Sequence, residues 1–118
     1  MSNIVQVLQR GVHAHQNGNY DKAKNYYIEV LKIQPDNPQA NYNLGLLETK
    51  FNNLSTATNH FKTATIKNPK IEQFWLSYIF NLADQKKFDK AKKILSEAKK
   101  NLLNNNNIFK MEEELELI

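Results

Sequence analysis

The side chains able to do chemistry are few and poorly placed for it. Histidine occurs three times, at His13, His15 and His60. His13 and His15 are two positions apart, so on a helix they point roughly 200° from each other and do not share a metal ion. His60 stands alone. Cysteine is absent, which removes disulfides and thiolate metal sites. Glu112, Glu113, Glu114 and Glu116 form an acidic run that reads as a solvated face. No glycine-rich phosphate loop, nucleophile motif or HExxH pair is present. Tyr26 and Tyr27 beside Tyr42 read as a small aromatic cluster of the core. The chain is therefore read as non-enzymatic, with no catalytic, cofactor or metal site.

Charge points the same way. The formal net charge is +4, from 16 basic and 12 acidic residues. The lysines alternate with acids, so they read mainly as solvated helix faces, and nucleic-acid binding through Lys86–Lys100 is a lesser reading. No run nears the roughly 18 apolar residues of a membrane span. Met1–Gln6 lacks the basic and apolar regions of a signal peptide, and cytoplasm is the expected compartment.

Elements emerge from a repeat. Ala23, Ala57 and Ala91 are 34 residues apart, and so are Tyr27, Phe61 and Leu95. Gly11 and Gly45, Tyr20, Leu54 and Phe88, and Pro35 and Pro69 keep the same spacing. A property held at many offsets by one shift predicts a short helical unit copied about three times, hence a solenoid. Ile4, Val7, Leu8 and Val12 predict a helix ending about Gln16. Gly18-Asn19 turns the chain, with Asn19 as N-cap, into a second helix from Tyr20 or Asp21 to Ile33. The second unit reads Pro38–Lys50 and Leu54–Lys67, and the third Glu72–Gln85 and Phe88 to about Asn101. Asn104–Asn107 reads as a linker. Ile108, Met111, Leu115 and Ile118 then fall on one side of a short amphipathic helix. Gly11 and Gly45 cost about 1 kcal/mol each mid-helix relative to Ala, which a close helix approach would justify.

These positions resemble the tetratricopeptide repeat, whose pattern is W-x2-L-G-x2-Y, A-x3-F and A-x4-P over 34 residues. The second unit matches with Leu44-Gly45, Ala57, Phe61, Ala64 and Pro69. The first has Gly11, Tyr20, Ala23, Tyr27 and Pro35, with Val30 for the second alanine. The third has Trp75, Tyr78, Leu82, Ala91, Leu95 and Ala98, with Ile79 for the glycine and Leu103 for the proline. The resemblance implies an all-α, right-handed α-solenoid in a single domain, 1–118. Its three helix-turn-helix units fall at about 4–37, 38–71 and 72–105, followed by a capping helix at about 107–118. Gln73–Ile79 is also similar to bacterial arrays that precede a transferase domain.

In this family the first helix of each repeat lines a concave groove. The groove positions fall on Val5, Leu8, Gln9 and Val12, then Tyr42, Asn43 and Leu46, then Gln73, Leu76, Ser77 and Phe80. Lys50 and Asp84 stand at the rim. Such an apolar and neutral-polar set implies a protein partner offering an apolar peptide or amphipathic helix. Leu8, Leu46, Leu76 and Phe80 could equally pack repeat against repeat. The family's carboxylate clamp for chaperone tails falls on Leu8, Val12, Asn43, Gln73 and Ser77. Only Asn43 fits, so that use is not expected. The leading function is a protein-interaction scaffold. Self-association as a homo-oligomer, and service as an N-terminal arm of a larger bacterial transferase, are the alternatives.

Overall fold

The computed structural model describes residues 3–102 and 105–116, and all its regular structure is helical. In order, the helices are α1 (Ile4–Gln16), α2 (Tyr20–Ile33), α3 (Pro38–Lys50), α4 (Leu54–Lys67), α5 (Glu72–Asp84), α6 (Phe88–Asn101) and α7 (Asn106–Glu116). Each packs on the next, giving an elongated body of 47 × 27 × 21 Å. A thin stack of this kind has no deep centre. Its core is a row of clusters: two where the second repeat packs on the first, and one that runs from the second repeat through the third to α7.

The repeat positions explain the stacking. Ala23, Ala57 and Ala91 are fully buried, as are Val30, Ala64 and Ala98 two turns further on. Gly11 and Gly45 are the points of closest approach: a β-carbon at Gly11 would lie 2.6 Å from Tyr27 Cε1, and one at Gly45 2.6 Å from Phe61 Cε1. In the third unit the exchange is reversed. Ile79 fills the glycine position and Leu95 replaces the ring, both buried in one cluster. Volume moves from one helix to the other, so packing density is kept.

The turns inside the repeats share one device. Gly18, Asn52 and Lys86 have φ of 79°, 62° and 61°. The next residue's amide reaches back to the carbonyl of Ala14, Glu48 or Leu82 at 2.8–2.9 Å, which is the Schellman closure of a helix. Asn19 does occupy the first position before α2, but its side chain makes no capping bond. Side-chain caps occur instead at Asn3, Asn37 and Asn105, whose Oδ1 atoms accept from the first-turn amides of α1, α3 and α7. Asn105 thereby starts a helix where a linker was expected, and Asn106 and Asn107 belong to α7. α5 ends at Asp84 rather than Gln85, which becomes its C-cap. Leu103, Asn104 and Ile118, which entered the readings of the third repeat, the linker and the last helix, lie outside the described residues.

Two ends of the stack differ. Ala40, Leu44 and Leu47 of α3 pack on the first repeat, and Phe74 and Tyr78 hold the first two of these repeat positions in α5. In α1 the same three positions carry Gln6, Arg10 and His13, all exposed. The α1 end is therefore polar, and stacking another copy on it would bury a guanidinium. At the other end Ile108, Met111 and Leu115 of α7 cover α6 and join the core of the third repeat. Lys99 of α6 bonds Glu112 at 2.7 Å, and Asn107 donates to Glu72. The apolar stripe of the last helix thus covers the stack.

Candidate peptide-binding groove

Alternate helices, α1, α3 and α5, carry the groove positions. Tyr42 is the hinge pin between two of them. Its ring lies 4.7 Å from Phe74 and 5.9 Å from Phe61, centroid to centroid, and its hydroxyl is 3.2 Å from Ser77 Oγ. The aromatic neighbours of Tyr42 are therefore Phe61 and Phe74, not Tyr26 and Tyr27. Tyr27 belongs to the first repeat, where its hydroxyl lies 3.2 Å from His15 Nδ1. Burial pushes the Tyr27 pKa up to about 12.

The other groove positions divide by exposure. Leu8 and Val12 are half-buried against the first core, and Leu46 and Leu76 against the third-repeat core. These four both line the surface and join repeat to repeat. Gln9 and Gln73 are exposed. Val5 and Phe80 stand out, 62% and 51% exposed, as large apolar side chains the fold leaves uncovered. Phe80 borders a depression of about 120 Å³ formed with Leu46, Thr49, Phe61, Ser77, Asn81 and Asp84.

Asn43 is the groove residue that the interior treats worst. It is only 7% exposed. Its Oδ1 accepts from the exposed Gln39 amide at 3.2 Å, while among the described residues its Nδ2 is the one buried side-chain polar atom without a partner. A buried amide left unsatisfied costs about 1–3 kcal/mol.

Asn81 and Thr58 were missed in the sequence. Asn81 donates to Leu54 O at 2.9 Å, accepts from Thr58 Oγ1, and takes a further bond from Gln85 at 3.0 Å. This buried network ties α5 to α4 beneath the depression. The one legible sign was asparagine at a repeat position that Leu47 holds in α3.

No group of three or more potential metal ligands occurs among the described residues. The histidines are occupied singly. His13 Nε2 lies 3.1 Å from Asn17 Nδ2, and His60 Nδ1 lies 3.0 Å from Asn41 Oδ1. Burial holds the His60 pKa below its ordinary value, Lys24 adding to that and Glu48 opposing it.

A family model described as TPR repeat matches residues 14–50. The first TPR of Spaghetti (RPAP3), bound to an HSP90 peptide, superposes with a TM-score of 0.82 at 17% identity, over 97% of this chain and 90% of that one. The chain has the tetratricopeptide-repeat fold. The Yersinia enterocolitica type III secretion chaperone SycD, in complex with a peptide of the translocator YopD, gives 0.78 at 13% identity, over 96% of this tetratricopeptide array and 86% of that chain. A Thermobaculum terrenum O-GlcNAc transferase gives 0.73 at 22% identity, and there the array covers 86% of its own length but 20% of the transferase. No curated protein matches the sequence. No described helix of the array is long and apolar enough to cross a membrane.

Proposed function

We propose that this chain is a non-catalytic interaction scaffold whose concave groove takes an apolar or amphipathic peptide or helix from a protein partner. The observation that carries the reading is Phe80, a half-exposed aromatic beside a depression floored by Leu46 and Phe61. An aromatic side chain next to a recess is the usual form of an interface anchor. Asn43 adds direction: with the exposed Gln39 side chain displaced, a peptide unit of the partner would give its N–H to Oδ1 and offer its carbonyl to the free Nδ2. Neighbours of the same fold that hold peptides support the general reading. Of the five clamp positions only Asn43 carries the required residue type, so a chaperone tail ending in a carboxylate lacks its cations here.

The test uses Leu46→Glu with Phe80→Glu. A partner captured by the parent chain, then titrated as an isolated peptide, should lose at least tenfold in affinity, about 1.4 kcal/mol. Helicity should stay near that of the parent, and Phe80→Glu alone, which changes an exposed side chain, should give part of the loss. Full affinity in both variants would remove the groove from the reading.

A further inference from the structure

The two ends of the stack carry opposite charge. At the α1 end a recess of about 510 Å³ opens between α1 and α2. Gln6, Arg10 and His13 line it from α1, and Lys22 and the half-buried Tyr26 from α2. α1 contains no acid, and the two acids of α2, Asp21 and Glu29, lie outside the lining. Among the described residues, neither Arg10 nor Lys22 is ion-paired. The recess therefore offers two cations, neutral hydrogen-bonding groups and one aromatic wall.

The α7 end is its complement. α7 has four glutamates against one lysine. Glu112 is tied to Lys99 at 2.7 Å. Lys110 stands one turn before Glu114, so those two share one flank of the helix. The other flank carries Phe109, Glu113 and Glu116 at i, i+4 and i+7, a single stripe. All three are exposed, and neither Glu113 nor Glu116 is ion-paired among the described residues. Phe109, 49% exposed, is a large apolar side chain that the cap leaves uncovered. Lys99 Nζ lies 5.8 Å from its ring centroid.

We propose that α7 of one copy docks in the α1-end recess of another, so that the chain associates with itself head to tail. Phe109 seats against Tyr26, and Glu113 and Glu116 meet Arg10 and Lys22. Arg10, which an apolar rung would strand, gains a carboxylate here. Two α1 ends, or two α7 ends, would set like charges face to face, which selects the mixed pairing. The paired faces differ, so the contact is heterologous, and every added copy leaves one free end of each kind. Both sets of charges are exposed, which makes the contact weak and sensitive to salt.

Sedimentation equilibrium of the full chain at low salt tests this. The mean mass should rise with concentration beyond that of a dimer, and fall back as salt is added. Arg10→Glu with Lys22→Glu should weaken association at least tenfold, and so should Glu113→Lys with Glu116→Lys. Mixing these two variants should restore it, because each supplies the end that the other lacks. Phe109→Ser should weaken it at least threefold. Lys62→Glu with Lys93→Glu, the same charge change on the flank between α4 and α6, should cost less than threefold. All these side chains are exposed, and circular dichroism checks that the variants fold. A monomer at every concentration up to about 1 mM at low salt would overturn the proposal. A mass that stops at a dimer would mean a two-fold contact and would overturn it too, as would a mixture of the two charge variants that stays monomeric. Leu46→Glu with Phe80→Glu should leave the association intact; its loss there would move the contact into the groove and sink the head-to-tail reading.

Discussion

At the scale of single residues, the fold is governed by where volume and protons are allowed. Gly45 faces the ring of Phe61 so closely that a methyl group has no place to go. Gly45→Ala gains about 1 kcal/mol in helix propensity. It should nonetheless destabilise the chain by about 1–3 kcal/mol, because a buried ring must shift; chemical denaturation checks the sign. Asn41 shows a different economy. Its Nδ2 donates to Pro35 O at 3.1 Å, and 34 residues later Trp75 Nε1 donates to Pro69 O at 2.8 Å. An amide stands in for an indole at the same bond. His15 and His60 set a pH dependence. Both pKa values are lowered, chiefly by burial. The unfolded chain therefore binds more protons near their titration range, and stability rises with pH there. Their contribution is complete above about pH 6.5 and is lost as pH falls through that value toward the lower folded pKa. Thermal melts should show a lower Tm at about pH 5.5 than at about pH 7.5, with a shallower slope in His15→Gln with His60→Gln.

At the scale of elements, the recurring left-handed turn is the most exacting local requirement. Glycine meets it at Gly18 and asparagine tolerates it at Asn52, but Lys86 carries a full side chain at φ 61°. Lys86→Gly should stabilise the chain by about 0.5–1 kcal/mol, read as a rise in Tm. A melt unchanged or lowered would mean that the lysine is held by more than its backbone. The helices themselves were legible, because proline, the small residues and the apolar spacing agree at the same offsets. The last turn of α5 and the start of α7 were not. Gln85 and Asn105 decide those boundaries by hydrogen bonds that no periodicity encodes. The groove was legible only as a face. Which of its apolar residues also weld the repeats together depends on neighbours from other helices, as Tyr42 between Phe61 and Phe74 illustrates.

At the scale of the whole molecule, each repeat leaves an apolar face that its successor must cover, and α7 covers the last. Ile108, Met111 and Leu115 are buried there, each worth about 1.5–3 kcal/mol when fully removed from water. A chain ending before Asn105 should melt at lower temperature and show concentration-dependent association in sedimentation, beyond any in the full chain. Unchanged sedimentation and melting would mean that α7 is ornamental. The opposite end carries Gln6, Arg10 and His13 where the inner repeats carry core side chains. Lengthening by internal duplication is therefore directional. A second copy of 38–71 inserted beside the original presents Ala40, Leu44 and Leu47 to its neighbour and adds a rung. A copy of 4–37 placed in the interior would trap arginine between rungs, so an evolutionary or engineered ladder of this sequence grows by copying its middle.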